Sequence, residues 1–261
     1  MKQYIIDAFT SKPFNGNPAA VCVLDDWPSE QFMLSLAKEN NLSETAFVIK
    51  EKQGYHLRWF TPGKEVELCG HATLATSFVL FNYYEQKLDE IQFQTLSGIL
   101  SVKRKNNRYE MDFPTCTLRE IPVSNAMEEA FGIRPVRAML GLDLICVFES
   151  ESQVRSLHPD QSKLLMLDGR IQNATAQGSE TDCVSRSFCP KLSIAEDPVC
   201  GSAHTQIAAY WMDILGKDSI EAYQASSRGG YLHCERLGEG CISISGEATL
   251  VAISQIMAEW K

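Results

Sequence analysis

The sequence predicts an α/β (α+β) fold made of two similar halves, each rich in strands and each carrying one buried helix. Three observations predict it. The stretch Glu65-Val66-Glu67-Leu68-Cys69-Gly70-His71-Ala72 recurs in kind as Glu196-Asp197-Pro198-Val199-Cys200-Gly201-Ser202-Ala203, each with an acidic residue four positions before a Cys-Gly pair. The two pairs lie 131 positions apart in a chain of 261 residues, too long a period for a solenoid and suited to a duplicated half-domain. Each pair leads into a mostly apolar run of helical length, and most of what remains reads as short strands.

In chain order, Tyr4 to Phe9 and Ala20 to Leu24 are short apolar strands, separated by the turn-rich Pro13-Phe14-Asn15-Gly16-Asn17-Pro18. Ser29 is placed to cap a helix with Phe32, Leu36 and Ala37 on its apolar face and Asn40-Asn41 at its end. Strands follow from Ser43-Glu44-Thr45 to Ile49 and from Gly54 to Phe60. Ala72 to Tyr83, apolar on most sides, predicts a buried helix. Ile91 to Thr95, Gly98 to Arg104 and Arg108 to Phe113 are strands, the last two joined by the hairpin signal Lys105-Asn106-Asn107. In the second half, Ser124 to Phe131 predicts a short helix, Asp143 to Phe148 a strand, and Ser152 to Leu167 one or two short helices. Arg170 to Gln177 and Asp182 to Phe188 are strands. Ala203 to Leu215 repeats the buried helix, with Gly216 as its C-cap. Strands at Glu221 to Ser226, Gly230 to Arg236, Cys241 to Ser245 and Glu247 to Ile253 complete the chain. The expected division is an N-terminal half, 1–115, a C-terminal half, 116–250, and a C-terminal segment, 251–261, that could return to the N-terminal half.

The net charge of −9 argues against a nucleic-acid partner, which calls for a basic face, while leaving room for a small anionic substrate held by a local cradle. No apolar run has the length of a membrane span, and the acidic residue at position 7 ends the opening apolar stretch, so neither a membrane partner nor a signal peptide is expected. The nine cysteines form no C-x-x-C pair and no Cys/His cluster of zinc spacing, so no metal is expected; free thiols in a reducing cytoplasm are the simplest reading.

Cys-Gly-polar at the start of a helix offers backbone N–H groups with no intrahelical partner and a dipole that favours negative charge. Gly70 and Gly201 lack a Cβ, so a ligand can approach closely. Two such helix starts facing one cleft could hold a carboxylate or an enolate-like charge. The plain alternative makes His71 and Ser202 simple N-caps, a role Ser fits better than His. Asp197 precedes Pro198 and is biased to extended backbone. Glu44, Glu65, Glu67 and Glu196 are, on residue type alone, solvated carboxylates.

Taken together, Asn15-Gly16-Asn17-Pro18-Ala19-Ala20-Val21, Ser43-Glu44-Thr45-Ala46-Phe47, Phe60-Thr61-Pro62, the two Cys-Gly stretches, Val184-Ser185-Arg186-Ser187-Phe188 and Ser227-Arg228-Gly229-Gly230 resemble, in order and over nearly the whole chain, the motif set of the phenazine-biosynthesis (PhzF-like) isomerase family. The resemblance implies a diaminopimelate-epimerase-like fold, in which each half is a curled, mostly antiparallel sheet wrapped around a central helix and the site lies between the halves. It implies a cofactor-independent isomerase, a homodimer, acting on a small carboxylate- or amino-acid-like substrate; in the phenazine enzyme this is dihydrohydroxyanthranilate, on which a glutamate moves a proton. Carried over, the acid/base is Glu44, with His71, Asp197 and Ser202 beside it and Gly70, Gly201 and Asn17 in substrate binding.

Related epimerases and proline racemases use one cysteine from each half, and Cys69 and Cys200 occupy matching places. A two-thiol racemase is therefore an alternative, the more so because a helix N-terminus lowers a thiol pKa. A second alternative is a non-catalytic protein that binds a small carboxylate, since fold alone does not imply activity.

Overall fold

A computed structural model describes residues 1–238 and 240–259. The chain divides into two compact units, one of residues 1–112 with 245–261 and one of residues 113–244. The divisions lie at 112/113 and 244/245, against the 115/116 and 250/251 expected; positions 260–261 of the expected C-terminal segment lie outside the described residues.

The first unit opens with β1 (Lys2–Ala8) and β2 (Asn17–Leu24), an antiparallel pair. Their turn needs Gly16: its φ is +66°, and an added Cβ would lie 2.1 Å from the Ala8 carbonyl oxygen. Helix α1 (Glu30–Asn40) is capped by the Ser29 hydroxyl, which accepts from the Phe32 amide, and ends at Asn41 in the left-handed region. Then come β3 (Glu44–Lys50), β4 (Tyr55–Phe60), the short β5 (Glu65–Val66), helix α2 (Gly70–Val79), β6 (Glu90–Thr95), β7 (Gly98–Lys105) and β8 (Arg108–Pro114). β3 runs parallel to β2 and antiparallel to β4, which pairs with β5 antiparallel and with β6 parallel. Helix α2 packs against β1, β2 and β3, and Gly70 and Phe78 alone among its residues escape full burial. The helix predicted to Tyr83 instead passes into a π turn over Leu80–Tyr84, where the larger residues Leu80 and Phe81 are still buried.

The second unit contains β9 (Arg119–Ile121), α3 (Asn125–Phe131), β10 (Arg137–Leu140), β11 (Leu144–Val147), α4 (Glu151–Ser156), α5 (Gln161–Leu164), β12 (Gln172–Gln177), β13 (Cys183–Cys189), β14 (Ile194–Asp197), α6 (Gly201–Leu215), β15 (Ser219–Gln224), β16 (Gly230–Gly238) and β17 (Cys241–Gly246). β11 and β12 are parallel, β12 and β13 antiparallel, and β13 pairs with β14 antiparallel and with β15 parallel. This is the pairing sequence of β2, β3, β4, β5 and β6. The duplication read from two short motifs therefore extends to the sheet, strand by strand. Strand β18 (Ala248–Gln255) returns to the first unit as the antiparallel partner of β1.

Short strands β5, β9, β10 and β14 carry too few residues for an alternating pattern, and the sequence does not announce them. Among the described residues, no helix is long and apolar enough to cross a membrane. Most cysteines are buried free thiols; Cys116 is exposed and Cys241 partly so.

Candidate active site

Each Cys-Gly helix start lies within its own unit. In the first, the N-cap of α2 is Cys69, whose side chain caps nothing; His71 lies inside the first turn. The N-cap of α6 is likewise Cys200, with Ser202 inside the first turn. The reading of His71 and Ser202 as simple N-caps is therefore corrected: both project from the helix itself. The residue four along from the cysteine closes each first turn from within. Thr73 Oγ1 donates to the Cys69 carbonyl at 2.6 Å, and His204 Nδ1 donates to the Cys200 carbonyl at 2.7 Å. Burial pulls the His204 pKa down to about 4, so its neutral ring accepts from Ser185 at Nε2, 3.1 Å away.

Glu44 begins β3, flanked by β2 and β4, so it is no edge carboxylate; its side chain is 13% exposed. Its Oε2 lies 3.0 Å from His71 Nε2, while neither atom has an aligned hydrogen bond and both are sealed from solvent. The contact is an ion pair by distance, not a saturated bond. On the other edge of the ring, His71 Nδ1 is 3.5 Å from Cys69 Sγ. Burial opposes charge on His71, but Cys69 first and then Glu44 outweigh it and hold the ring well above the ordinary histidine range. Burial first, and then Glu44, push the Cys69 thiol up.

Glu44, Cys69 and His71 place ligand-type atoms within 4.8 Å of one another. The sulfur lies beside Nδ1 and a carboxylate oxygen beside Nε2, so the imidazole ring stands between a thiol and a carboxylate. Asn17, buried at the start of β2, stands two residues before Ala19, the register partner of Glu44. Gly70 is the first residue of α2.

In the second unit, Asp197 ends β14 and accepts from the Val199 amide at 3.1 Å, in the extended conformation expected before Pro198. Gln224 fixes the approach to α6: its Oε1 accepts from the Cys200 amide at 2.8 Å and its Nε2 donates to the Asp197 carbonyl at 2.6 Å. Ser226 Oγ donates to the Pro198 carbonyl at 2.7 Å, so the loop around Ser227-Arg228-Gly229-Gly230 clamps the same segment. Gly201 is buried as the first residue of α6. Ser202 Oγ accepts from Arg170 Nη2 at 3.1 Å and lies 3.5 Å from Cys200 Sγ. The Ala72 and Ala203 amides pull the Cys69 and Cys200 thiols down, as a helix N-terminus should, yet burial dominates and raises both. The expected lowering of these thiols is therefore overturned by desolvation.

Glu65 and Glu196 are also not free surface charges. Glu65 takes Arg58 at 2.7 and 2.8 Å, and Glu196 takes Arg186 at 2.8 and 2.9 Å, a matching two-pronged pair in each unit. Glu67 is exposed, as expected. Sequence reasoning missed Asp143, Arg170, Gln206 and Gln224. The detectable signal was Gln206, a polar residue four along from Ser202 in a mostly apolar helical run.

A family model described as phenazine biosynthesis-like protein matches residues 6–253. An uncharacterised isomerase of Pseudomonas aeruginosa is 45% identical over 252 residues, 96% of this chain and 96% of that one. A crystal structure of a PhzF family protein from Enterococcus faecalis superposes with a TM-score of 0.96 at 48% identity, covering 98% of this chain and 99% of the other. A probable proline racemase from Agrobacterium radiobacter shares the fold at 10% identity, with a TM-score of 0.66 over 99% of this chain and 93% of its own.

Proposed function

Because the chain belongs to the PhzC-PhzF family of phenazine biosynthesis-like proteins, we propose that this isomerase moves a proton on a small carboxylate- or amino-acid-like substrate, with Glu44 as the general acid/base and no cofactor. The observation that carries this reading is the buried Glu44–His71 contact of 3.0 Å. In this reading the Glu44 carboxylate is the group that accepts a proton. It takes one from a substrate carbon, the electron pair spreads into the adjoining π system, and the same carboxyl group returns the proton at a second carbon. The double bond moves and no group is lost or gained. His71 supplies fixed positive charge while the carbanion exists. Ser202 and Asp197 are proposed to bind the substrate's polar groups, with Gly70, Gly201 and Asn17 in binding.

The test is deuterium incorporation from D₂O, followed by NMR, with dihydrohydroxyanthranilate and the simpler β,γ-unsaturated amino acid vinylglycine as probes. The wild-type chain is expected to move the double bond of at least one, with deuterium at the accepting carbon wherever the Glu44 proton exchanges before its return, and Glu44→Gln to do neither. A chain that binds either probe without moving its double bond or exchanging a proton supports the non-catalytic alternative and sinks this one.

The Cys69 Sγ to His71 Nδ1 contact favours a second reading, in which Cys69 and Cys200 act as a thiol pair. Its burial-raised thiols weigh against it. α-Deuteration of proline that iodoacetamide abolishes would establish it.

A further inference from the structure

Arg170 is the most heavily anchored half-exposed cation among the described residues around Ser202, and the proposed function gives it no task. The loop before it is fixed at several points. Lys191 Nζ donates to the Leu167 and Gly169 carbonyls, Gln172 Nε2 donates to the Asp168 and Gly169 carbonyls, and the Arg170 amide donates to the Leu142 carbonyl. Gly169 sits at φ +79°, and a Cβ there would meet the Leu144 amide nitrogen at 2.4 Å, so only glycine permits this approach. The guanidinium is held by Asp143, whose side chain is fully buried: Nε donates to Oδ1 at 3.1 Å and Nη2 to Oδ2 at 3.3 Å. Asp143 is itself fixed by the Ile171 amide at 3.2 Å and by Gln206 Nε2 at 2.9 Å, while Gln206 Oε1 accepts from the Asp143 amide.

The consequence falls on Ser202. Nη2 uses its second hydrogen on Ser202 Oγ at 3.1 Å, so the hydroxyl is an acceptor there and keeps its own proton to give elsewhere. Its other neighbour, Cys200 Sγ at 3.5 Å, is a weak acceptor. Among the described residues, Nη1 makes no hydrogen bond, and the side chain is 37% exposed. In a planar guanidinium, one Nη1 hydrogen lies parallel to the Nη2 hydrogen that meets Ser202. A hydroxyl donor and a guanidinium donor are thereby placed side by side, on a frame whose charge Asp143 already balances.

We propose that Arg170 and Ser202 form a carboxylate-binding subsite, in which Arg170, set by Asp143 and Gln206, orients the Ser202 hydroxyl as a donor and adds its own Nη1 donor to the same anionic group. The inference rests on the isomerase reading and names the substrate group that this part of the molecule recognises. Because the pair with Asp143 is neutral overall, discrimination comes from paired donors rather than from net charge. The preference is therefore for a planar carboxylate over its amide.

The probes are anthranilate and anthranilamide, which differ only in that group, titrated calorimetrically against the full chain. The wild type is expected to prefer anthranilate. Arg170→Met alone would strand the buried Asp143 charge and endanger the fold, so it is made together with Asp143→Asn, which removes that charge and keeps the shape and the hydrogen bond from the Ile171 amide. In that double variant, in Ser202→Ala and in Arg170→Lys, which keeps charge but loses the fork, the preference is expected to fall by about tenfold. Ser202→Ala added to the Arg170→Met/Asp143→Asn chain should bring little further loss, because the two residues act as one unit. Equal binding of both probes by the wild type overturns the subsite, as does an unchanged preference in the folded Arg170 variants. The deuterium test keeps the two readings apart. Exchange lost with the preference intact sinks the isomerase and leaves the subsite, whereas exchange intact with no effect of Arg170 on preference sinks the subsite alone.

Discussion

The starts of helices α2 and α6 share a backbone plan and differ in what they do with it. In each unit, a parallel strand pair leads to an antiparallel strand, then to a two- to four-residue strand, then to a Cys-Gly helix start closed from within by the residue four along. The first unit sets two ionisable groups, Glu44 and His71, 3.0 Å apart, sealed and imperfectly bonded. The second puts Ser202 where His71 stands. Register places Gln172 where Glu44 stands, since Leu144 faces Gln172 as Ala19 faces Glu44. Around Ser202 the partners Asp143, Arg170 and Gln206 are bonded to one another. Incomplete bonding leaves a proton carrier ready to change state, whereas a bonded network holds a donor still. On the proposed reading, one copy of the duplicated plan serves proton transfer and the other recognition.

The sharpest way to break that contrast is to make the start of α2 resemble that of α6. Glu44→Gln installs the residue of the counterpart position at nearly constant volume. Exchange into substrate is expected to fall by about 10²- to 10⁴-fold, the range for loss of a general acid/base. Exchange rates within threefold of wild type would show that the carboxylate is not the carrier, and the functional contrast between the units would go with it.

The complementary cut is made in the second unit. Asp143→Ala removes the fully buried partner of Arg170 and leaves Gln206 and the Ile171 amide without their acceptor. Unfolding stability is expected to drop by about 3 kcal/mol or more. Glu44→Gln should cost less, because neither Glu44 Oε2 nor His71 Nε2 is hydrogen-bonded and the His71 ring can shed its proton once the carboxylate is gone, which the Arg170 guanidinium cannot do. Equal destabilisation by the two variants in denaturant unfolding would erase the distinction between a bonded frame and an unbonded carrier.

How far this contrast can be read without coordinates depends on the length of the signal. The two Cys-Gly stretches and the long apolar runs after them are strong local patterns, and they reveal the duplication and both buried helices. Glu44 and His71 are 27 positions apart in sequence, and nothing local announces their contact; the motif set singles them out, and the β3 register with the first turn of α2 brings them together. Asp143, Arg170 and Gln206 are harder still. Asp143 and Arg170 look like ordinary charged residues beside strands, and burial of one by the other depends on pairing between β11 and β12 that residue type cannot report. The thiols show the opposite failure. Reasoning from the helix N-terminus is right about the direction in which the Ala72 and Ala203 amides act, but it omits the larger desolvation that only packing reveals.

A pH series sharpens the contrast with a smaller effect. The folded chain holds the His71 pKa above its unfolded value, so the pair's contribution to stability is fully present below the ordinary histidine range and disappears as pH rises through the elevated value. The stability difference between wild type and His71→Ser, the residue found at the counterpart position, should therefore shrink as pH rises above the ordinary histidine range. His204→Ser should behave in the reverse sense in acid. Its pKa is depressed to about 4, so the folded chain binds fewer protons there and loses stability as pH falls below the ordinary histidine range, and the substitution removes that loss. A His71 difference that is flat across the series would mean that Glu44 does not stabilise an imidazolium.

The smallest effects belong to the cysteines, the residues that make the two helix starts look most alike. Both cap their helices through backbone alone, both are buried, and burial keeps both thiols protonated near neutral pH. Cys200→Ala removes only a weak neighbour of Ser202, and Cys69→Ala removes the sulfur beside Nδ1 while leaving Glu44 at Nε2. Each is expected to change the exchange rate by less than about threefold, equivalent to under ~0.7 kcal/mol in the barrier. The lost packing should cost about 1 kcal/mol of stability. A collapse of exchange in either single variant, with the fold intact by circular dichroism, would shift the proton chemistry from Glu44 to the thiols and restore the symmetry that the surroundings of each cysteine have lost.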